Sequence, residues 1–340
     1  MADELGPGER RRMEDVARHA GVSQMTVSRA LRTPDKVAPA TRARVAAAIA
    51  ELDYVPDLVA GGLAARRSRL VAVIVSTLEN SIFAATVQGL DAALRDQGYA
   101  VLLGSSDYSR EGEEDLLRAV LGRRPDGIVL TDYVHTPAAQ RLLRAAGIPV
   151  VETWELPAAP LDLAVGFSNL AAARAMTLAL HGYGYRRIAF VGTSAPDDRR
   201  GGLRREGYRA ALAELGAGPP REVLLPVPLL GITDGPAALD ALLAAHPDAD
   251  AAFCGVDALA AGLLLACSRQ HIAVPGRLAV AGFGDFDLAR PAAFDLTTVR
   301  VPGRAIGAEA GALLLARMRG EPVGVPVRDV GFEVVRRASA

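Results

Sequence analysis

The stretch "MEDVARHAGVSQMTVSRALRTPDKV", residues 13–37, decides how the amino-terminal part of the chain is built. Its apolar residues recur at helical spacing, and no strand-like run appears before about residue 58. A first helix is expected from about Met13 to His19, burying Val16 and Ala17. Ala20, Gly21 and Val22 then make a turn, and Ser23 offers a side-chain oxygen to the free amides opening a second helix, "QMTVSRAL". Small Ala17, Gly21 at the bend and apolar Val27 fit a helix-turn-helix, which needs a small residue for close helix contact and a bend that glycine tolerates. A generic helical hairpin would satisfy the first two helices equally well. What favours the motif is "TRARVAAAIAELDYVPD" (41–57), a third amphipathic helix with Val45, Ile49 and Leu52 inward, ended by a proline.

The second helix of such a motif enters the major groove with its N-terminal residues facing base edges. Gln24, Met25 and Arg29 are the exposed candidates: amide and guanidinium groups pair with adenine or guanine edges, and Met25 can touch a thymine methyl. Thr26 and Ser28 suit phosphate contacts, which position without reading sequence. Ser23, the expected cap, belongs to the same DNA-facing set. The formal net charge of −1 does not advertise a nucleic-acid binder, yet it is an average over 340 residues. Through residue 69 there are twelve Lys and Arg against nine Asp and Glu, so the head is basic and the remainder acidic. With so small an excess, affinity for DNA is expected to depend on paired heads rather than a single one.

After residue 70 short apolar runs alternate with helical stretches. Strands are expected at 70–77, 100–106, 126–132, 148–153, 187–193, 250–256 and 278–285, with helices such as 81–97 and 204–215 closed by Gly98 and Gly216. Continuous apolar strands each followed by a helix imply parallel sheets covered on both faces. The pattern occurs twice, before and after "HGYGYRR" (181–187), giving two doubly wound subdomains with a ligand cleft at their strand ends. Residues 215–228 read as a loop. Cys254 and Cys267 lack CxxC spacing and read as small buried apolar residues. The start has no signal-peptide pattern, and the richest apolar run, 258–267, is too short to span a bilayer. A cytoplasmic protein without membrane partner, metal or cofactor is expected.

"MEDVARHAGVSQMTVSRAL", "TRARVAAAIAELDYVPD" and "LAARRSRLVAVIV" together resemble the headpiece, hinge and first core strand of the lactose/galactose repressor (LacI/GalR) family. The resemblance continues through "AVGFSNLAAARAMTLAL", "GYRAAL", "FCGVDALAAG" and "VAGFGD", covering nearly all of residues 13–337. "LTDYVHTPAAQRLLRAAGIPVVE" with "LDLAVGFSN" is most similar to the gluconate-utilisation repressors. The fold class implied is α/β: a three-helix helix-turn-helix headpiece plus a two-subdomain, periplasmic-binding-protein-like core of parallel doubly wound sheets. Its expected parts are a disordered terminus (1–12), headpiece (13–57), hinge (58–69) and core (70–337). Within the core the N-subdomain would hold about 70–168 and 299–325, and the C-subdomain about 169–298 and 326–337.

The resemblance also implies a transcriptional regulator: a homodimer, rather than a tetramer, gripping near-palindromic double-stranded operator DNA under control of a small sugar or sugar-acid effector. Tyr54 matches an aromatic supporting DNA-backbone contact, and Leu63 matches the hinge leucine that wedges into the minor groove, where an apolar wedge unstacks a base step and kinks the duplex. This chain departs from the family hinge with Ala60, Gly61 and Gly62 before Leu63. Two glycines cost a helix roughly 1 kcal/mol each, so a hinge ordered only on DNA is expected. Ala38 stands where a capping serine is usual, a loss of about 1 kcal/mol. Effector positions implied are Asn80, Phe83, Arg200, Arg204, Asp257, Asp285 and His135. An arginine fork suits a carboxylate. Asp257 could equally be only a helix cap, and His135 only an isolated surface histidine. Gly284 replaces the family's usual hydroxyl-binding aspartate, with Asp285 next to it and its role left open, which argues for a sugar acid such as gluconate or a phosphorylated relative over a neutral sugar.

An enzyme is disfavoured: the chain has no GxxxxGK[ST] loop, HExxH, GxSxG or clustered His and Cys ligands, and "GFGDFD" lacks the other loops of a kinase. A solute-binding module without DNA would leave the headpiece unexplained.

Overall fold

Helices α1 (Met13–Ala20), α2 (Gln24–Arg32) and α3 (Pro39–Glu51) make the first unit of the chain. In the computed structural model, residues 11–55, 68–78, 83–227 and 230–340 are described, and the chain divides into two units between Ser68 and Arg69. Helix ends of the first unit follow from the residues placed there. Gly21 closes α1 in the left-handed conformation at φ 61°, and the Ser23 hydroxyl accepts the Thr26 amide at 3.2 Å to open α2. α3 opens on Pro39, and Ala38 before it provides no side-chain cap. Val16, Ala17, Ala20, Val27, Val45 and Ala48 are buried together, with Ile49 and Leu52 packed against them. Each valine so buried contributes about 1.5–3 kcal/mol, and each alanine methyl roughly 0.8 kcal/mol. His19 Nε2 lies 2.6 Å from Glu51 Oε2, tying the ends of α1 and α3. The third helix is shorter than expected: the chain turns at Asp53 (φ 45°), and the Tyr54 amide donates back to the Ile49 carbonyl at 3.0 Å.

The second unit holds two lobes. The first lobe has strands β1 (Leu70–Val75), β2 (Ala100–Ser105), β3 (Gly127–Leu130), β4 (Val150–Thr153) and β5 (Leu163–Gly166), with helices α4 (Ala84–Arg95), α5 (Arg110–Leu121) and α6 (Pro137–Ala146). The second has α7 (Asn169–Gly182), β6 (Ile188–Thr193), α8 (Arg199–Leu215), β7 (Arg221–Leu225), α9 (Gly235–Ala245), β8 (Ala251–Cys254), α10 (Asp257–Arg269), β9 (Ala279–Gly284) and β10 (Thr297–Arg300). The chain then returns as α11 (Gly303–Arg319) and β11 (Val327–Asp329) to the first lobe, and ends with β12 (Glu333–Val335) in the second. The sheets run β11-β5-β4-β3-β1-β2 and β12-β10-β9-β8-β6-β7, parallel except where β12 meets β10. The central strands β3, β4, β8 and β9 are buried throughout, as their continuous apolar runs require. In both sheets the strand order reverses beside β1 and β6, which opens a crevice at their C-terminal ends.

Helices in each lobe pack at backbone distance. A Cβ on Gly307 of α11 would lie 1.9 Å from the Thr86 carbonyl oxygen of α4, and one on Gly207 of α8 2.2 Å from the Leu170 carbonyl oxygen of α7. The chain crosses between lobes three times: after β5, after β10 and after β11. The last two crossings differ from expectation. β10 continues through Arg300 in the second sheet, and Val327–Asp329, assigned from sequence to the C-subdomain, pairs with β5 in the first. The stretch 215–228 is also not all loop, because Arg221–Leu225 forms the edge strand β7 alongside β6. α8 begins five residues before the expected 204, where Asp198 Oδ1 accepts the Gly201 amide at 2.9 Å. Gly98 and Gly216 are left-handed, at φ 73° and 60°. Cys254 and Cys267 are buried free thiols. The hinge residues Ala60, Gly61, Gly62 and Leu63, and Asn80, lie outside the described residues.

Candidate functional site

In the first unit, Gln24, Met25 and Arg29 are exposed on α2, with Thr26 and Ser28 half-buried beside them. Gln24 and Ser28 stack one turn apart, as do Met25 and Arg29, so the four share a continuous face. Met25 is 70% exposed, so its side chain is accessible for contact on the same face as Gln24 and Arg29. Arg18 is engaged by Glu14 and Asp15, whereas Arg29 enters no ion pair among the described residues. Ser23 serves as the cap of α2, and its hydroxyl lies 2.9 Å from that of Thr26. Tyr54 is 7% exposed within the three-helix core, so any support it gives to DNA contact passes through packing rather than an outward ring.

In the second unit, α8 projects two arginines into the crevice between the lobes. Arg200 Nη2 donates to Ser76 Oγ at 2.9 Å and its Nη1 to the Thr131 carbonyl, both at strand ends of the first lobe. Its guanidinium lies over Phe83, 5.3 Å from the ring centroid, with Tyr108 at 6.0 Å on another side. Arg204 Nε donates to Asn169 Oδ1 at 2.9 Å and Nη1 to the Gly255 carbonyl at 2.6 Å, and the group sits 4.1 Å from the Phe283 centroid. Both side chains are buried, yet these four acceptors are neutral oxygens. Burial pulls the Arg204 guanidinium below its usual value, and the neighbouring Arg200 adds to that depression. For Arg200, burial works in the same direction, but Asp132, Tyr108 and Asp198 outweigh it and raise its affinity for the proton. At the edge of the crevice Arg110 of α5 donates to Asp197 Oδ1 at 2.7 and 3.1 Å, a second link between lobes, half exposed.

Beneath the arginines the aromatics form a series: Phe83 against Trp154 (5.1 Å), Trp154 against Phe167 (6.1 Å) and Phe167 against Phe283 (6.1 Å). Trp154 and Gly284 also line a cavity of about 720 Å³ with Phe286, Arg290 and Arg304.

The remaining sequence candidates are already engaged. Asp257 is fully buried and is not the cap of α10. Its oxygens accept from the Thr298 hydroxyl (2.6 Å) and the Phe286 amide (2.9 Å), and burial pushes its carboxyl up to about 6 despite those bonds. Asp285 gives one oxygen to Arg300 and the other to Arg337, each at 2.6 Å, so it braces the wall instead of offering a free acceptor. A side chain at Gly284 would be strained: its φ is 133°, and a Cβ there would lie 2.4 Å from the Phe286 ring, which would have to shift. His135 is not an isolated surface histidine but is buried between Glu113 and Glu152. The structure thus brings together Phe83, Arg200 and Arg204, and sets His135, Asp257 and Asp285 in networks of their own. Sequence reasoning missed Ser76, Tyr108, Thr131 and Asn169. The one available signal was "GFSN", where Ser168 caps α7 and turns Asn169 inward.

Residues 12–57 match the family described as bacterial regulatory proteins, lacI family, and residues 177–340 match a periplasmic binding protein-like domain. The chain is similar to the HTH-type transcriptional regulator GntR of Pseudomonas aeruginosa, with 40% identity over 328 residues that cover 96% of this chain and 95% of that one. It is 35% identical to GntR of Escherichia coli over 325 residues, 94% and 96% of the two chains. The crystal structure of a lacI-family transcriptional regulator from Silicibacter pomeroyi superposes with a TM-score of 0.90 at 35% identity, covering 97% of this chain and 99% of that one.

Proposed function

This chain belongs to the lacI family of bacterial regulatory proteins, and from that premise we propose that it represses sugar-acid catabolic genes under the control of gluconate or a closely similar aldonic acid. It is a DNA-binding transcriptional regulator and not an enzyme. The observation that carries the effector class is the pair of buried guanidinium groups, Arg200 and Arg204, whose hydrogen bonds described above go to neutral oxygens. None of those four bonds is to a carboxylate, and at Arg204 burial outweighs the nearby Asp198 and Glu155, so an effector carboxylate would supply the charge-assisted, bidentate partner that arginine fits. A neutral hexose offers no such charge. The shared ancestry with GntR regulators supports the same class.

On this reading Gln24, Met25 and Arg29 read base edges of a near-palindromic operator bound by a homodimer. Ser23, Thr26 and Ser28 position the helix on the backbone, Tyr54 supports it from within, and Leu63 supplies the minor-groove wedge. Titration calorimetry with gluconate and with glucose, followed by gel shifts on the intergenic DNA upstream of the chain's own gene with and without the bound compound, tests the proposal. Gluconate is expected to bind and to change the shift. Tight binding of glucose with no heat from gluconate overturns the effector class.

A further inference from the structure

The imidazole of His135 has a carboxylate oxygen on each ring nitrogen: Glu113 Oε1 at 2.6 Å from Nδ1 and Glu152 Oε1 at 3.1 Å from Nε2. The three side chains are 1%, 6% and 3% exposed. A neutral imidazole carries one N–H, so both contacts can be donated only by the imidazolium. Burial opposes that charge, but the bonds to Glu113 and Glu152 overcome it and lift the histidine to about 9. The clamp joins distant parts of the first lobe. Glu113 comes from α5 and Glu152 from β4, while the second Glu152 oxygen accepts the Leu161 amide ahead of β5 at 2.8 Å. Next door, Thr136 caps α6 and donates to Glu114 at 2.7 Å, which also accepts from Arg118 at 2.6 Å.

What this anchoring holds is the turn just before it. Thr131 gives its carbonyl to Arg200 and its hydroxyl oxygen to the Ser76 amide at 2.8 Å. Asp132 Oδ1 accepts the amides of Tyr133 (2.7 Å) and Val134 (3.3 Å), closing the turn, and its charge acts on Arg200. We propose that His135 is a positioning residue: locked between Glu113 and Glu152, it sets the Thr131–Val134 turn against Arg200 and thereby tunes the effector response without touching the effector. This rests on Arg200 belonging to the effector site.

The test uses the full-length protein, with amide hydrogen exchange across residues 131–135 and calorimetry with gluconate. In His135→Ala the Tyr133 and Val134 amides are expected to lose protection, and gluconate affinity to fall about tenfold. In the wild type, protection of that turn, corrected for intrinsic exchange, is expected to fall as pH rises through about 9. Because His135→Ala leaves two buried carboxylates face to face and threatens folding, a triple variant Glu113→Gln, His135→Gln and Glu152→Gln rebuilds the network from neutral amides. It is expected to recover both protection and affinity. Unchanged protection in His135→Ala overturns the proposal, as does a triple variant that regains protection but not binding, which would make His135 a direct contact. If the wild type binds no gluconate, the sugar-acid reading fails, and the exchange data alone decide the role of His135.

Discussion

Arg200 on α8 donates to Ser76 at the end of β1 across 2.9 Å, so a single guanidinium spans the two lobes. The half-exposed Arg110–Asp197 pair spans them as well. The two links differ in environment, and that difference sets their weight.

Replacing Arg200 with methionine keeps the apolar stem of the side chain and removes its charge and donors. A hydrogen bond to a charged partner contributes about 1.5–3 kcal/mol, so gluconate affinity is expected to fall roughly tenfold to a hundredfold by calorimetry. Arg110→Gln breaks a solvent-exposed pair and is expected to cost at most about 1 kcal/mol.

Asp257 is an acid whose folded value, about 6, lies above its ordinary one. The folded state therefore holds this proton more tightly than the unfolded chain, and the stability it contributes at low pH is lost as pH rises through about 6. Asp257→Asn can accept the Phe286 amide and donate to the Thr298 hydroxyl. Thermal melts are expected to show the variant at least as stable as the wild type at pH 7, with a weaker pH dependence between about 4 and 6. Marked destabilisation at pH 7 would mean that the ionised form is required.

Gly307→Ala forces a methyl to within 1.9 Å of the Thr86 carbonyl oxygen, where only backbone can give way. Overpacking of this kind costs about 1–3 kcal/mol and should lower the melting temperature of the core. Gly216→Ala, in open space at φ 60°, is expected to lose only about 1–2 kcal/mol from the left-handed strain.

Ser23→Ala removes the cap of α2 and is expected to cost the headpiece about 1 kcal/mol. Arg29→Ala should leave headpiece stability intact and cost about 1–3 kcal/mol of operator binding through lost base discrimination. Gel shifts against specific and bulk competitor DNA separate the two. Equal losses on both DNAs would reassign Arg29 to the phosphate backbone.

The central strands and the headpiece were legible because their apolar residues are continuous or helically spaced, and a buried face leaves that imprint without reference to its partner. β7 was hidden because "REVLL" is an edge strand with one buried residue, Val223, and carries no continuous run. The start of α8 was missed because Asp198 is one of two adjacent aspartates, and spacing does not say which one caps. The site was harder still. His135 owes its burial to glutamates 22 and 17 residues away, and Asp285 is claimed by Arg300 and by Arg337, 52 residues on. Asp257 looked like a cap by position, yet its acceptors are spent on a loop and a strand that only the folded sheet brings near. Sequence periodicity reports which face is inward, while the pairing of polar groups depends on contacts between remote segments.

Three passages of chain between the lobes make neither lobe a contiguous segment of the gene. A truncation after β5 would strip α4 of α11 and the first sheet of β11, so neither half is expected to be obtainable as a simple expression fragment. Any swing of one lobe against the other must also be absorbed by three linkers at once, which confines it to the few directions all three permit and lets a small change at the crevice emerge as a defined rotation instead of a general loosening.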